Sequence, residues 1–327
     1  MSLTRREAIA GFGAGLAVLG AQSAPAQSAY PNRTIKMVVP YPAGGTTDLL
    51  GRLVADRLQS GLGATVIVEN KPGAASSTGA EFVARAEPDG YTLLIATSTT
   101  LAINKTLYKK LPYDPVKDFT PIALLAAVPF ALIVNPQLPV KTLAEFIAYA
   151  KSNPGLAYGS AGIGSPQHLG SAMLQAAAGI DIRHVPYRGS VPAMLDVIAG
   201  HISFMVMDLQ PALPQMRDGK VRVLGVTTAK RVTAAPDIPT LAEGGLPGYE
   251  LVAWQGVVGP AGLPRPIVDQ LAAQIGKLVA DPATRERLTT IALEPFPGTT
   301  PDAFAVFVKT EVDRWADIVK KSGAEVE

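Results

Sequence analysis

Cysteine is missing from all 327 residues. That absence excludes a thiolate nucleophile, a cysteine-ligated metal or iron–sulfur cluster, a disulfide framework and a lipid-anchored cysteine at a mature N-terminus. Histidine is nearly as scarce. His168, His184 and His201 are the three present, and their spacing matches no metal-ligand pattern, so each is expected to be structural and no metal is expected. An excess of either charge is also lacking, with 29 basic against 27 acidic residues. A near-neutral chain argues against nucleic acid or an anionic membrane surface as partner. Phosphate signatures are absent too. There is no G-x-x-x-x-G-K-[ST], and Gly162-Ile163-Gly164 lacks the third glycine and later acid of a dinucleotide site, so no cofactor is expected.

What is there begins with a leader. Thr4-Arg5-Arg6 forms a charged start, Ala8 to Leu19 a short Ala/Gly/Leu core, and Ala24-Pro25-Ala26 a small-residue cleavage pattern. Residues 1–29 therefore read as an export signal cleaved near Ala26 or Ala29, too short and glycine-rich for a membrane span. The expectation is an exported soluble protein, periplasmic and not a lipoprotein, with the twin-arginine and general routes both open.

The remaining chain is long enough for two domains and alternates strand-like with helix-like segments, the rhythm of β-α units on a mostly parallel sheet. Ile35 to Val39 reads as a buried strand. It breaks at Pro40 and Pro42, and a helix follows with Leu49, Leu50, Leu53, Val54 and Leu58 at helical spacing. Thr46 or Thr47 can serve as its N-cap, and Asp48 sits in its first turn. Between strand and helix, Gly44 and Gly45 leave backbone N–H groups uncovered at a helix N-terminus, which suits a carboxylate; a tight turn is the plainer reading. Further strands end at Ser76 to Thr78 and Ser98 to Thr100, where ligands of such sheets sit, although any single hydroxyl there can instead be a helix cap.

Phe119 to Val134 runs almost uncharged through two apolar stretches separated by Pro129, as a crossover between domains should. The second block repeats the device of the first. Leu156-Ala157-Tyr158 is a strand, Gly159 to Ser165 a glycine/serine loop, and Pro166 opens a helix with Ser165 at its N-cap. Two such loops, one per half, suggest a ligand held between two lobes by its negative end. Arg188 offers a grip for a distal carboxylate, or is a rim residue or interlobe ion pair; Asp208 either meets an amine, hydroxyl or water of the ligand, or caps the helix that begins near Pro211. Tyr249 to Val258 reads as a second crossover, in which Trp254 is expected to be core or hinge packing, and residues from Pro266 onward as two or three amphipathic helices.

Pro42-Ala43-Gly44-Gly45-Thr46-Thr47-Asp48, Tyr158 to Ser165, Val185-Pro186-Tyr187-Arg188-Gly189 and Gly245-Leu246-Pro247-Gly248-Tyr249 with Trp254 resemble, in order and over essentially the whole mature chain, the Bug-type receptors of tripartite tricarboxylate transporters. The resemblance implies a two-lobed periplasmic binding protein of type II, each lobe a mostly parallel sheet flanked by helices. Residues 30–128 with 254–327 would form the first lobe and 129–253 the second, joined by two crossover segments. It implies a small carboxylate ligand (a di- or tricarboxylate, an aromatic acid or an acidic amino acid), delivery to transporter membrane subunits, a monomer, and no catalysis. Ligand contacts would come from Tyr41, Ala43, Gly44, Thr46 and Thr47, then Ser160, Ala161, Gly164 and Ser165, with Asp208 in the distal part of the cleft. The residues themselves add Gly45, Asp48, Ser98 and Arg188. Where family members carry an aromatic residue before the acid, this chain has Met207. The competing readings are a secreted serine hydrolase using Ser165 or Ser160 with His168 and Asp208, and a ligand sensor feeding a membrane signalling protein.

Overall fold

The computed structural model describes residues 30–322 and 324, so the expected leader lies outside the described residues. The chain begins as repeated β-α units: β1 (Ile35–Val39), α1 (Thr46–Leu62), β2 (Val66–Asn70), α2 (Ser77–Ala84) and β3 (Thr92–Thr97). A π-helical turn over Thr99–Ile103 and the short α3 (Asn104–Leu107) lead to β4 (Phe119–Val134). The same rhythm then repeats in α4 (Leu143–Ser152), β5 (Leu156–Ser160), α5 (Pro166–Ala178), β6 (Ile182–Pro186), α6 (Ser190–Ala199), β7 (Phe204–Asp208), α7 (Leu209–Arg217) and β8 (Arg222–Val226). Strand β9 (Val252–Pro260) returns, followed by α8 (Arg265–Ala280), α9 (Pro282–Thr290), the two-residue β10 (Glu294–Pro295) and α10 (Pro301–Ser322). Among the described residues no helix is long and apolar enough to cross a membrane.

The strand order β2-β1-β3-β9-β4-β7-β5-β6 explains the two lobes. Strands β2, β1 and β3 pair in parallel, as do β6, β5 and β7, and each trio carries helices between its strands. Strand β9 is antiparallel to β3 and β4, and β4 is antiparallel to β7 and β8, so one reversed strand enters each otherwise parallel set. The fold is thus the two-lobed α/β binding-protein fold that the alternating pattern implies.

Strand β4 belongs to both lobes. Its residues from Phe119 to Pro129 pair with β9, and those from Phe130 to Val134 pair with β7 and β8. Pro129, expected to interrupt the passage, lies where one set of partners gives way to the other, so the strand runs on through it. The residues that β4 and β9 thread through the middle are nearly all buried, which fits a near-continuous apolar run covered on both faces. Behind β9, the indoles of Trp254 and Trp315 both donate to Glu311 Oε2, at 2.7 and 3.0 Å. Glu311 sits on α10, so this shared acceptor ties the crossover strand to the C-terminal helix.

Candidate ligand cleft

The carboxyl ends of the parallel strands converge on one cavity that is partly open to solvent. From β1 and the start of α1 come Tyr41, Pro42, Ala43, Gly45, Thr46 and Thr47; from the end of β3, Thr97, Ser98 and Thr99. The second lobe contributes Ala161, then Pro166 and Gln167 at the start of α5, Gly189 to Pro192 at the start of α6, and Asp208 at the start of α7. Val128 and Phe130 on β4 with Ala253, Trp254 and Gln255 on β9 complete the lining. Four helix N-termini therefore border it, those of α1, α5, α6 and α7. Each brings roughly half a positive elementary charge, the sum of its aligned peptide dipoles. The lining holds no lysine, arginine or histidine among the described residues, and Asp208 is its one charged side chain.

The first-lobe loop is built differently from the sequence expectation. Neither threonine caps α1; Gly45 is the N-cap and has no side-chain cap bond. Thr46 Oγ1 instead donates to Asp208 Oδ2 at 2.9 Å, and Thr47 Oγ1 accepts from Gln255 Nε2 at 3.0 Å. Asp48 turns away from the cavity. It accepts from the Gly44 amide at 3.1 Å and pairs with Arg52 Nε at 3.0 Å, and Asn70 donates both to it and to the Tyr41 carbonyl. Burial pushes the Asp48 pKa up, but the bonds from Arg52, Asn70 and Gly44 outweigh it and hold it below the usual carboxylate value. Asp48 thus braces the loop from behind, and Gly44, at φ +89°, supplies the left-handed turn and lies outside the lining.

The second-lobe loop is stiffened from within. Ser165 caps α5 as its sequence suggests, accepting from the His168 amide at 3.3 Å with Pro166 at the first helical position, and it donates to the Gly162 carbonyl at 2.7 Å. Ser160 Oγ lies 2.6 Å from His184 Nε2, and the Gly164 amide donates to His168 Nδ1 at 3.1 Å. The two imidazoles stack at 4.1 Å between centroids, with Tyr158 stacked on His184 at 5.0 Å. Burial pushes both histidines down to about 4, with His168 adding to the effect on His184. Of this loop only Ala161 reaches the cavity; Ser160, Gly164 and Ser165, expected as ligand contacts, hold its shape instead. The hydrolase arrangement is not assembled, because Ser160 is fully buried against His184, Ser165 bonds backbone groups, and Asp208 meets no histidine.

Arg188 lies outside the main cavity and lines an adjoining space with Tyr187 and Pro186, bounded also by Tyr41, Pro42 and Ala161. Met207 packs in the core of the second lobe and does not reach the lining. Asp208 stands at the N-cap position of α7 but makes no cap bond. Its Oδ2 accepts from Thr46 and its Oδ1 from Gln167 Nε2 at 2.5 Å, which links the two lobes through one carboxyl group. Burial raises its pKa above the ordinary value despite those two bonds and one from its own amide. The Tyr41 phenol is likewise raised by burial, against the hydroxyls of Thr99, Thr97 and Ser76 and with a smaller upward push from Asp208. Trp254, expected in the core, is buried and also lines the cavity.

Gln167, Gln255, Gly189 and Ser190 are lining residues that sequence reasoning missed. Gly189-Ser190 follows a strand and opens a helix, the same pattern that marked the other two loops. Gln167 directly follows the cap pair Ser165-Pro166. Nothing local marks Gln255.

Residues 50–324 match the model of the tripartite tricarboxylate transporter family receptor. The chain is 33% identical to the protein BugT of Bordetella pertussis over the full length of both. It resembles a Rhodopseudomonas palustris protein solved with adipate, at 36% identity and a TM-score of 0.88 over 91% of this chain and 100% of the other. It is also similar to MatC of the same species with bound malate, at 35% identity and a TM-score of 0.84 over 89% of this chain and 100% of that one. With helix starts of both lobes facing one cleft and a full-length match of this kind, the chain belongs to the tripartite tricarboxylate transporter family of periplasmic receptors, the Bug-type solute-binding proteins.

Proposed function

We propose that the protein captures a small carboxylate between its two lobes and presents it to the membrane subunits of a tripartite transporter. Residues 30–128 with 254–327 act as one lobe and 129–253 as the other, in an exported monomer freed of its leader near Ala26 or Ala29. The observation that carries the reading is the convergence of four helix N-termini on a cavity lined by no basic side chain. Fixed N–H dipoles in a desolvated site replace the hydration shell of an anion without a countercharge, and several acting together hold a carboxylate as oxyanion donors do. In this reading Gly45, Thr46, Ala161 and Ser190, which line the cavity, supply those groups, and Ser98 adds a buried hydroxyl. The adipate and malate bound to two relatives support a carboxylate as cargo.

Isothermal titration against dicarboxylates, keto acids, aromatic acids and acidic amino acids tests this. One saturable site without turnover is expected, and a ligand at one hundred times its Kd adds about 2.7 kcal/mol of stability, visible as a raised melting temperature. Silence across the whole panel would overturn the reading.

A further inference from the structure

A second space opens beside the cleft. Pro40, Pro72 and Tyr108 wall it on one side, Gly162, Ile163 and Tyr187 on the other, and Arg188 completes the lining. Tyr41, Pro42 and Ala161 border this space and the cleft alike, so the two adjoin across those three residues. The turn between β6 and α6 passes from one to the other: Arg188 lines the outer space, and Gly189 and Ser190 line the cleft. Gly189 holds φ at +134°, and a Cβ there would stand 3.4 Å from Cγ and Cδ of Pro42, so this turn lies against the loop that leads into α1.

Arg188 is the one charged side chain in the lining of the outer space. It is exposed and makes no hydrogen bond or ion pair with any described residue. The acid of α6, Asp196, is engaged elsewhere, accepting from the Tyr187 hydroxyl at 2.6 Å and facing His201 Nδ1 at 3.3 Å. Lys71, which precedes Pro72 on the facing side, pairs with Glu69 at 2.8 Å and sits 4.3 Å over the Phe82 ring. The guanidinium is therefore the free cation of this mouth. Helix-start dipoles act over about one turn, and Asp208 repels an anion, so the cleft lining itself offers an approaching carboxylate no long-range attraction. A full charge in water reaches further, to about 10 Å at 0.1 M salt.

We propose that the outer space is the entry vestibule of the cleft and that Arg188 is its encounter residue: the guanidinium draws a carboxylate in from solvent and passes it to the start of α6, setting the speed of capture without holding the bound ligand. This rests on the carboxylate-receptor reading above. A transit residue has a kinetic signature. Its removal slows entry and exit by the same factor, because the bound ligand lies beyond it and the equilibrium constant does not change. A residue that grips the bound ligand behaves otherwise, since its loss speeds exit and weakens affinity.

The test follows capture by the mature protein in stopped flow, with the fluorescence of Trp254 in the cleft wall as the signal. The probe is malate, replaced by the tightest acid of the calorimetric panel if malate does not bind. At about 10 mM salt, where screening is weak, Arg188→Gln is expected to lower the association and dissociation rate constants together. Each falls about fivefold, the factor that one charge pair 4 Å apart contributes in water, with Kd within about twofold of the native value. Arg188→Glu is expected to lower both further. At about 1 M salt the screening length shrinks to about 3 Å, and native and variant proteins should converge. Lys309→Gln, which removes an exposed charge on α10 outside both spaces, is expected to leave both rates unchanged. An association rate unchanged in Arg188→Gln, a dissociation rate that rises together with Kd, or a deficit that persists undiminished at high salt would each overturn the proposal. Those outcomes leave carboxylate capture standing. If no acid of the panel binds, the receptor reading falls and this inference with it.

Discussion

Substitution of Gly164 separates the stability of the lobes from the stability of their contact. Gly164 lies in the loop after β5 at φ +73°, and a Cβ there would come within 1.9 Å of Leu107 Cδ2 and 2.9 Å of its Cδ1 and Cγ. Leu107 belongs to the short helix that follows β3 and is fully buried. A turn of one Leu107 methyl cannot clear the overlap, because the branch carbon itself is too close. Gly164→Ala therefore adds two penalties. The left-handed backbone costs an L-residue about 1–2 kcal/mol, and this strain stays with the loop wherever the lobes sit. The overlap with Leu107 costs about 1–3 kcal/mol, and it vanishes if the lobes part. Melting of the unliganded variant should register mainly the first penalty, as a drop of a few degrees. Ligand affinity should register the second, as a loss of about 5- to 150-fold, because the ligand must then close the lobes against the overlap. The double variant Gly164→Ala with Leu107→Ala should regain most of that affinity while melting lower still, since truncating a buried leucine costs about 2–5 kcal/mol. Undiminished affinity in the single variant, or no recovery in the double, would refute the placement of this contact across the moving interface.

Three further outcomes are expected. Glu311→Ala should destabilise the fold by about 2–5 kcal/mol in urea denaturation, because two buried indole N–H groups lose their acceptor together, whereas Glu311→Gln should lose less by keeping one oxygen. Burial keeps native His168 and His184 neutral with pKa values of about 4 against the ordinary 6.5, so the unfolded chain binds more protons between those values and stability falls as pH drops from 6.5 towards 4. Denaturation should show an uptake on unfolding that rises from about half a proton at pH 7 to nearly two at pH 5, and replacing both histidines by glutamine should flatten that slope. Asp208 has its pKa raised, so an ammonium ligand that favours its ionised form should expel a proton at acidic pH, measurable by calorimetry in two buffers of different ionisation enthalpy and absent in Asp208→Asn.

The parts of this molecule that were legible in its sequence are those whose causes are local. A β-branched strand, a pair of glycines and an apolar period of 3.6 specify each β-loop-α unit within about twenty residues, which is why β1–α1 and β5–α5 fall where their patterns place them. Ser165 at the start of α5 was equally open to reading, because its cap bond reaches three residues. Thr46 and Thr47 have the same chemistry and were misassigned as caps, because their partners, Asp208 and Gln255, are 162 and 208 residues away. Pro129 misled in a similar way. A proline breaks a strand where a ladder bond is needed, and only the sheet order shows that β4 changes partners there.

The same distinction divides the cleft itself. In the proposed function the helix starts hold the anion, and a helix start is announced by the residues that make it, so Gly45, Thr46 and Ala161 could be found and Gly189-Ser190 carried the same mark. Asp208, Gln167 and Gln255, which also line the cleft, come from separate strand-to-helix junctions or strands and meet only after folding. The helix starts are shared by backbone geometry and tolerate many side chains. The three polar groups are side chains, fixed by the residue type at each position and not by the turn that carries it. Two relatives at about 35% identity keep this fold and were solved with different acids, adipate and malate. In this chain Asp208 is a buried carboxyl with no cation in the lining among the described residues, and its substitution should alter ligand preference before it weakens carboxylate capture.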